Sequence, residues 1–186
     1  MIDKPKFPRA EAIAVARIIV DFLKPFCERL IVAGSLRRRR TAVGDVEILY
    51  VPKYSAEPDG LFDTVRVNCV DRRLEQMLQC GTISKRLNTL GSETWGERNK
   101  LARHTTSQIP VDLFEATTSN WFNYLVCRTG SAANNTRIAS AAQAKRWKWH
   151  PYAAGFTDHQ GNSVRVESEQ DVFRLAGLPY LEPWQR

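Results

Sequence analysis

The sequence predicts an α+β fold: a mixed β-sheet with flanking helices, followed by a smaller α+β module. Three observations predict it. Apolar residues recur at three- and four-residue steps in some segments and stand in short unbroken runs in others. The two kinds of segment come in the order helix, strands, helix, strands, with turn residues between them. The composition is globular: 186 residues, 43% hydrophobic and 25% charged. A chain of that length buries roughly 70% of its unfolded surface, enough for one sizeable core or two small ones.

In order along the chain, Val15, Ile18, Ile19, Phe22 and Phe26 mark one face of a helix that Pro8 opens and Pro25 closes. Leu30–Ala33 reads as a strand stopped by Gly34-Ser35, and Asp45–Val51 as the next strand, after four arginines. Pro52–Gly60, with two prolines, reads as a loop. A helix is expected from about Asn68 to Gln79, burying Val70, Leu74, Met77 and Leu78 and ending at Gly81. Ile83–Leu87 and Val111–Ala116 read as strands, with the turn-rich Asn88–Gly96 after the first. A second unit is expected to begin near Trp121, dividing the chain at 1–118 and 119–186. In it Ser131 caps a helix running to about Trp147, and short strands lie within Trp147–Phe156 and Ser163–Val166. Ser168 with Asp171 starts a last helix, which Gly177-Leu178-Pro179 stops.

Several function classes are excluded at this level. The longest apolar stretch, Ala12–Val20, is interrupted by Arg17 and too short to span a bilayer. Cys27, Cys69, Cys80 and Cys127 lie far apart without a CxxC pair and with three histidines to partner them, which argues against a disulfide framework or a structural zinc and for a reducing cytoplasm. The 27 lysines and arginines exceed the 20 acids, for a net charge of +7 and a pI near 9.5, which suits a polyanionic partner.

The chemistry concentrates at Gly34-Ser35-Leu36-Arg37-Arg38 and Gly44-Asp45-Val46-Glu47. Side chains alternate along a strand, so Asp45 and Glu47 point one way while Val46 and Ile48 enter the core. Paired carboxylates repel each other, a cost that a divalent cation between them removes, and hard oxygen donors select magnesium or manganese. Asp112, alone among apolar neighbours in Pro110-Val111-Asp112-Leu113-Phe114, is a third acid that would join them if its strand lies alongside. An isolated Asp-x-Glu is commonly just a solvated strand face. The Gly-Ser turn ahead of it shifts the reading, because its backbone N–H groups and neighbouring arginines suit phosphate oxygens. Phosphate cradle and three acids together describe two-metal nucleotidyl transfer.

These motifs, with Val-Asp-Leu-Phe and Arg128-Thr129-Gly130-Ser131, resemble the palm and thumb of family X DNA polymerases. The resemblance extends from Phe7-Pro8-Arg9 to the segment Ser168–Trp184. It implies a nucleotidyltransferase palm followed by a thumb-like module, in a minimal form without the family's amino-terminal lyase region, as in small bacterial, viral or phage enzymes. It further implies a DNA-directed polymerase that fills short gaps in DNA repair as a monomer, with DNA and a dNTP as partners. Two Mg2+ or Mn2+ ions would be held by Asp45, Glu47 and Asp112. Gly34, Ser35, Arg38, Gly44 and Lys6 would serve the triphosphate, Thr129 and Gly130 the sugar, and Asn135 the base edge. Asn135 reads equally as a helix-start residue satisfied locally. Arg137, Lys145, Arg146 and Lys148 would face DNA, while Trp147 and Trp149 between them read first as core. Glu47 replaces the family's Asp, Cys127-Arg128 replaces an aromatic pair that excludes ribonucleotides, and Pro110 replaces an arginine that restrains the third acid. A template-independent, RNA or protein nucleotidyltransferase and a catalytically silent nucleic-acid-binding protein are the alternatives.

Overall fold

A computed structural model describes residues 5–60 and 63–186 of the chain. Its elements are β1 (Phe7–Pro8), α1 (Arg9–Leu23), β2 (Cys27–Val32), α2 (Gly34–Arg37), β3 (Ala42–Val43), β4 (Val46–Pro52), β5 (Tyr54–Asp59), β6 (Asp63–Asn68) and α3 (Cys69–Gln79). There follow β7 (Ile83–Lys85), β8 (Asn99–His104), β9 (Pro110–Glu115), α4 (Trp121–Thr129), α5 (Ala132–Ala144), β10 (Lys148–Trp149), β11 (Gly155–Thr157), β12 (Ser163–Arg165) and α6 (Glu169–Ala176). The mixed α+β architecture is the one expected. The chain divides into two compact units: residues up to Val32 with Ala42–Glu115, and Ala33–Thr41 with Ala116–Arg186. Among the described residues no helix is long and apolar enough to cross a membrane.

The first unit is built on a five-stranded sheet of order β2-β4-β9-β8-β7. Only the β4–β9 pair is parallel; the others run antiparallel. Its strand β4 carries an unbroken buried run, Ile48-Leu49-Tyr50-Val51, because both faces are covered there. Helix α1 buries Ala12, Val15, Ala16, Ile19 and Leu23, so of the expected face Val15 and Ile19 turn inward while Ile18 and Phe22 stand exposed, the alanines taking their place. Helix α3 buries Val70, Leu74 and Met77, and Asn68 caps it by accepting from the N–H groups of Val70 and Asp71.

Two parts of this unit differ from expectation. The stretch Pro52–Gly60 is not a loop: it supplies the end of β4 and then β5, which pairs with β6 as a two-stranded arm. Its two faces are both largely exposed, so no hydrophobic alternation marks it in the sequence. Strand β8 lies where no strand is expected, because Lys100 occupies one of its inward positions; that lysine is 2% exposed and pairs with Asp71 at 2.8 Å.

The second unit packs α4, α5 and α6 around Val126, Ile138, Ala142, Phe156, Val172 and Phe173. The segment expected to hold a strand from Trp147 to Phe156 turns back on itself, giving the antiparallel β10 and β11, with β12 beside them. Ser131 caps α5 and Ser168 caps α6, and Gly177 ends α6 in the left-handed conformation. Helix α4 is the unexpected element here. It is buried on most of its circumference, and its Asn123 donates to the carbonyls of His150 and Ala153 and accepts from Trp149 Nε1. Trp149 is therefore core, and the half-buried Trp147 packs against that core, edge-on to Phe156 at 6.3 Å.

Candidate active site

In the first unit the acids sit where the strand pattern places them. Along β4 the buried Val46 and Ile48 flank the half-buried Glu47, and along β9 the buried Val111 and Leu113 flank the half-buried Asp112. The parallel register sets Glu47 opposite Asp112. Neighbouring strands lie about 4.8 Å apart, so these two carboxylates share one face side by side. Asp45 stands in the turn leading into β4, also half-buried. Among the described residues no three His, Cys, Asp or Glu side chains are gathered closely enough to form a metal cluster. Asp112 is instead held by an arginine, with Arg86 Nη2 2.5 Å from its Oδ1. Pro110, the first residue of β9, thus leaves Asp112 restrained after all, from the far side of β8 rather than from its own strand. In kind, the donor set fits a hard divalent cation: three carboxylates, two of them on adjoining strands.

Lys6 and Gly44 flank a short ladder in the same unit. Strand β1 pairs with β3 through Phe7↔Val43 and Pro8↔Ala42, which sets Lys6 and Gly44 at the same end of that ladder. Lys6 is exposed, and the space around Gly44 where a side chain would stand is open.

The second unit holds the rest of the expected residues. Gly34 opens α2 with a φ of +59°, a conformation that glycine adopts at little cost. Ser35 follows it, its Oγ buried without a hydrogen-bond partner among the described residues. Arg38 donates through Nη1 to the backbone carbonyls of Thr129 and Gly130. Arg37 donates to Thr129 Oγ1 at 2.6 Å and clasps the Glu169 carboxylate with both terminal nitrogens. Arg186 holds the same carboxylate at 2.8 Å. Burial works to raise the Glu169 carboxyl, but hydrogen bonds and charge from Arg37 and Arg186 outweigh it, leaving its pKa below the usual value. Asn135 lies over Gly130: its Nδ2 donates to Cys127 O at 2.8 Å, and a Cβ on Gly130 would stand 2.3 Å from its Oδ1. That Oδ1 is buried without a hydrogen-bond partner among the described residues.

Arg128 lies over the rings of Tyr124 and Tyr152, 5.3 and 5.4 Å from their centroids, so aromatic bulk surrounds the position even though residues 127 and 128 supply none. Arg137, Lys145, Arg146 and Lys148 are exposed, and Lys145 donates to Leu175 O at 2.7 Å. The sequence reading missed Arg86, Glu169 and Arg186. The first has no local signal, since its partner lies 26 positions away; Glu169, as an acid just after the Ser168 cap, has an ordinary helix-start explanation that hides its role.

Similarity to known proteins falls on the same architecture. Residues 124–186 match the family described as DNA polymerase beta thumb. Over 97% of its length the chain is 25% identical to DNA polymerase lambda of Rattus norvegicus, and it spans about a third, 33%, of that relative. A crystal structure of Leishmania infantum polymerase beta, a ternary P/T complex, superposes with a TM-score of 0.71 at 19% identity, over 98% of this chain and 77% of that one. The chain thus shares the fold of that polymerase beta structure. The chain has a family X polymerase-like fold.

Proposed function

We propose that this chain is a DNA-directed DNA polymerase of the family X type, adding nucleotides to a primer 3′-hydroxyl and filling short gaps in DNA repair. The observation that carries the reading is the pairing of Glu47 with Asp112 on adjoining parallel strands, each flanked by fully buried apolar residues. Two carboxylates set opposite each other in rows that are otherwise apolar are oxygen donors of the kind a hard divalent cation takes. In this reading Asp45, Glu47 and Asp112 would hold two Mg2+ or Mn2+ ions, which would supply Lewis-acid chemistry for the triphosphate and the hydroxyl. Asp112 takes up the primer hydroxyl proton, through the oxygen that Arg86 does not hold. In the second unit Gly34, Ser35 and Arg38 receive the phosphates of a dNTP and Thr129, Gly130 and Asn135 its sugar and base; in the first unit Lys6 and Gly44 are assigned to phosphate oxygens. The buried Oγ of Ser35 and Oδ1 of Asn135 support those roles, since among the described residues neither has the hydrogen-bond partner that a ligand would provide. Arg137, Lys145, Arg146 and Lys148 grip the DNA backbone, so binding weakens as salt rises.

The test is extension of a labelled gapped primer with dNTP and either cation, by the wild type and by Asp45→Ala. The reading expects metal-dependent extension that the variant lacks. A folded wild-type protein that extends no primer with either ion overturns it. Omitting the template strand separates this reading from template-independent transfer.

A further inference from the structure

We infer that Arg86 is the positioning residue of the acid row: it fixes the Asp112 carboxylate in the metal-free protein and competes with a divalent cation for it. The inference rests on the reading of Asp45, Glu47 and Asp112 as a cation site.

The sheet itself lines up the participants. Glu47 opposes Asp112, Asp112 opposes Leu101 on β8, and the carbonyl of Leu101 accepts the backbone N–H of Arg86 at 3.0 Å. Residues directly opposite one another on successive strands share a face. The Arg86 guanidinium, reaching past Leu101, closes on Asp112 Oδ1 at 2.5 Å. Both side chains are well shielded, 21% exposed for the arginine and 13% for the acid, so the attraction is less screened than in a surface pair.

The guanidinium is poorly served elsewhere. Its Nη1 reaches Leu87 O at a long 3.4 Å, and its Nε is buried with no partner among the described residues. Among the described residues Asp112 is therefore its principal acceptor. Such a pair has two consequences. The carboxylate is held in one rotamer beside Glu47, which spares part of the ordering cost of building a site. Its charge is also already neutralised, so an incoming cation gains less from Asp112 than from an unpaired carboxylate and must share or displace Arg86.

Mn2+ affinity of the free protein, read from the electron paramagnetic resonance of unbound Mn2+, tests this without turnover. Arg86→Met removes the charge and keeps the length, and should tighten Mn2+ binding about tenfold, the size of one charged hydrogen bond partly shielded from water. Arg86→Lys keeps the charge and should stay within about twofold of the wild type. In an Asp112→Asn background, Arg86→Met should change nothing, a dependence that a purely structural role would not produce. Arg86→Met affinity equal to or weaker than wild type, or tightening that persists in the Asp112→Asn background, overturns the inference while leaving the acid site intact. Mn2+ binding that is indifferent to Asp45→Ala overturns the acid-site reading, and this inference with it.

Discussion

Glu169→Ala perturbs the most heavily engaged charge in the second unit, and its cost follows from the geometry. The carboxylate accepts from Arg37 at 2.9 and 2.5 Å and from Arg186 at 2.8 Å. The side chains of Arg37, Glu169 and Arg186 are 17%, 12% and 0% exposed. A solvent-exposed pair would be worth at most about 1 kcal/mol, whereas removing one partner of a buried pair costs about 3–5 kcal/mol because a charge is left without its counter-ion. Arg37 keeps its bond to Thr129 Oγ1, and Arg186 keeps Leu181 O and its seat over Phe173, so the lower end applies, about 3 kcal/mol. The pH dependence has a definite sign. The carboxyl is depressed in the folded state, so its stabilisation is present above its unfolded pKa of about 4.3 and is lost as pH falls through the lower folded value. Urea unfolding of wild type and variant, followed by tryptophan fluorescence from pH 7 down to about 3, measures both effects. The stability gap should be near 3 kcal/mol at neutral pH and narrow in acid. A gap under about 1 kcal/mol at pH 7, or one that does not narrow below the unfolded pKa, refutes the reasoning.

Three further outcomes are expected. Gly130→Ala should lose about 1–2 kcal/mol in the same unfolding assay, since the new methyl displaces the Asn135 amide from Cys127 O, and adding Asn135→Ala should abolish most of the further cost of the methyl. A thiol reagent at pH 8 should label Cys80 first and Cys27 last in a mass-spectrometric time course. Cys80 is exposed and its thiol is lowered by the Thr82 hydroxyl and backbone, whereas burial pushes Cys27 up to about 12, so the reverse order would contradict these environments. Paired extension assays with dNTP and rNTP should give rates within about tenfold of each other, because Cys127 and Arg128 replace the aromatic pair; a much larger preference for dNTP would assign the excluding role to Tyr124 and Tyr152.

What the sequence made legible follows physical lines. Helices α1, α3, α5 and α6 announce themselves by a buried stripe or by a capping Asn or Ser, signals that are local. Strands β4 and β9 are apolar runs interrupted within by a carboxylate, which is why Glu47 and Asp112 were visible before any fold was. The missed elements lack such signals. Lys100 makes β8 look polar because its charge is cancelled by Asp71, a residue from another element. Helix α4 has no clear polar stripe, and its buried Asn123 is satisfied by carbonyls about thirty positions away. Arg86 shows the same limit at the site itself: an arginine in a turn-rich stretch acquires a role only when the sheet order β4-β9-β8-β7 brings it to Asp112.

In the proposed function the carboxylates of the first unit carry out nucleotide addition. Single-turnover incorporation on a gapped primer, with saturating dNTP and Mg2+, compares the wild type with Asp112→Asn, a change that keeps the side chain's size. The variant's rate should be about 10²–10⁴-fold lower, the range for loss of a proton acceptor, with DNA binding unchanged. Incorporation by Asp112→Asn at the wild-type rate would contradict that function.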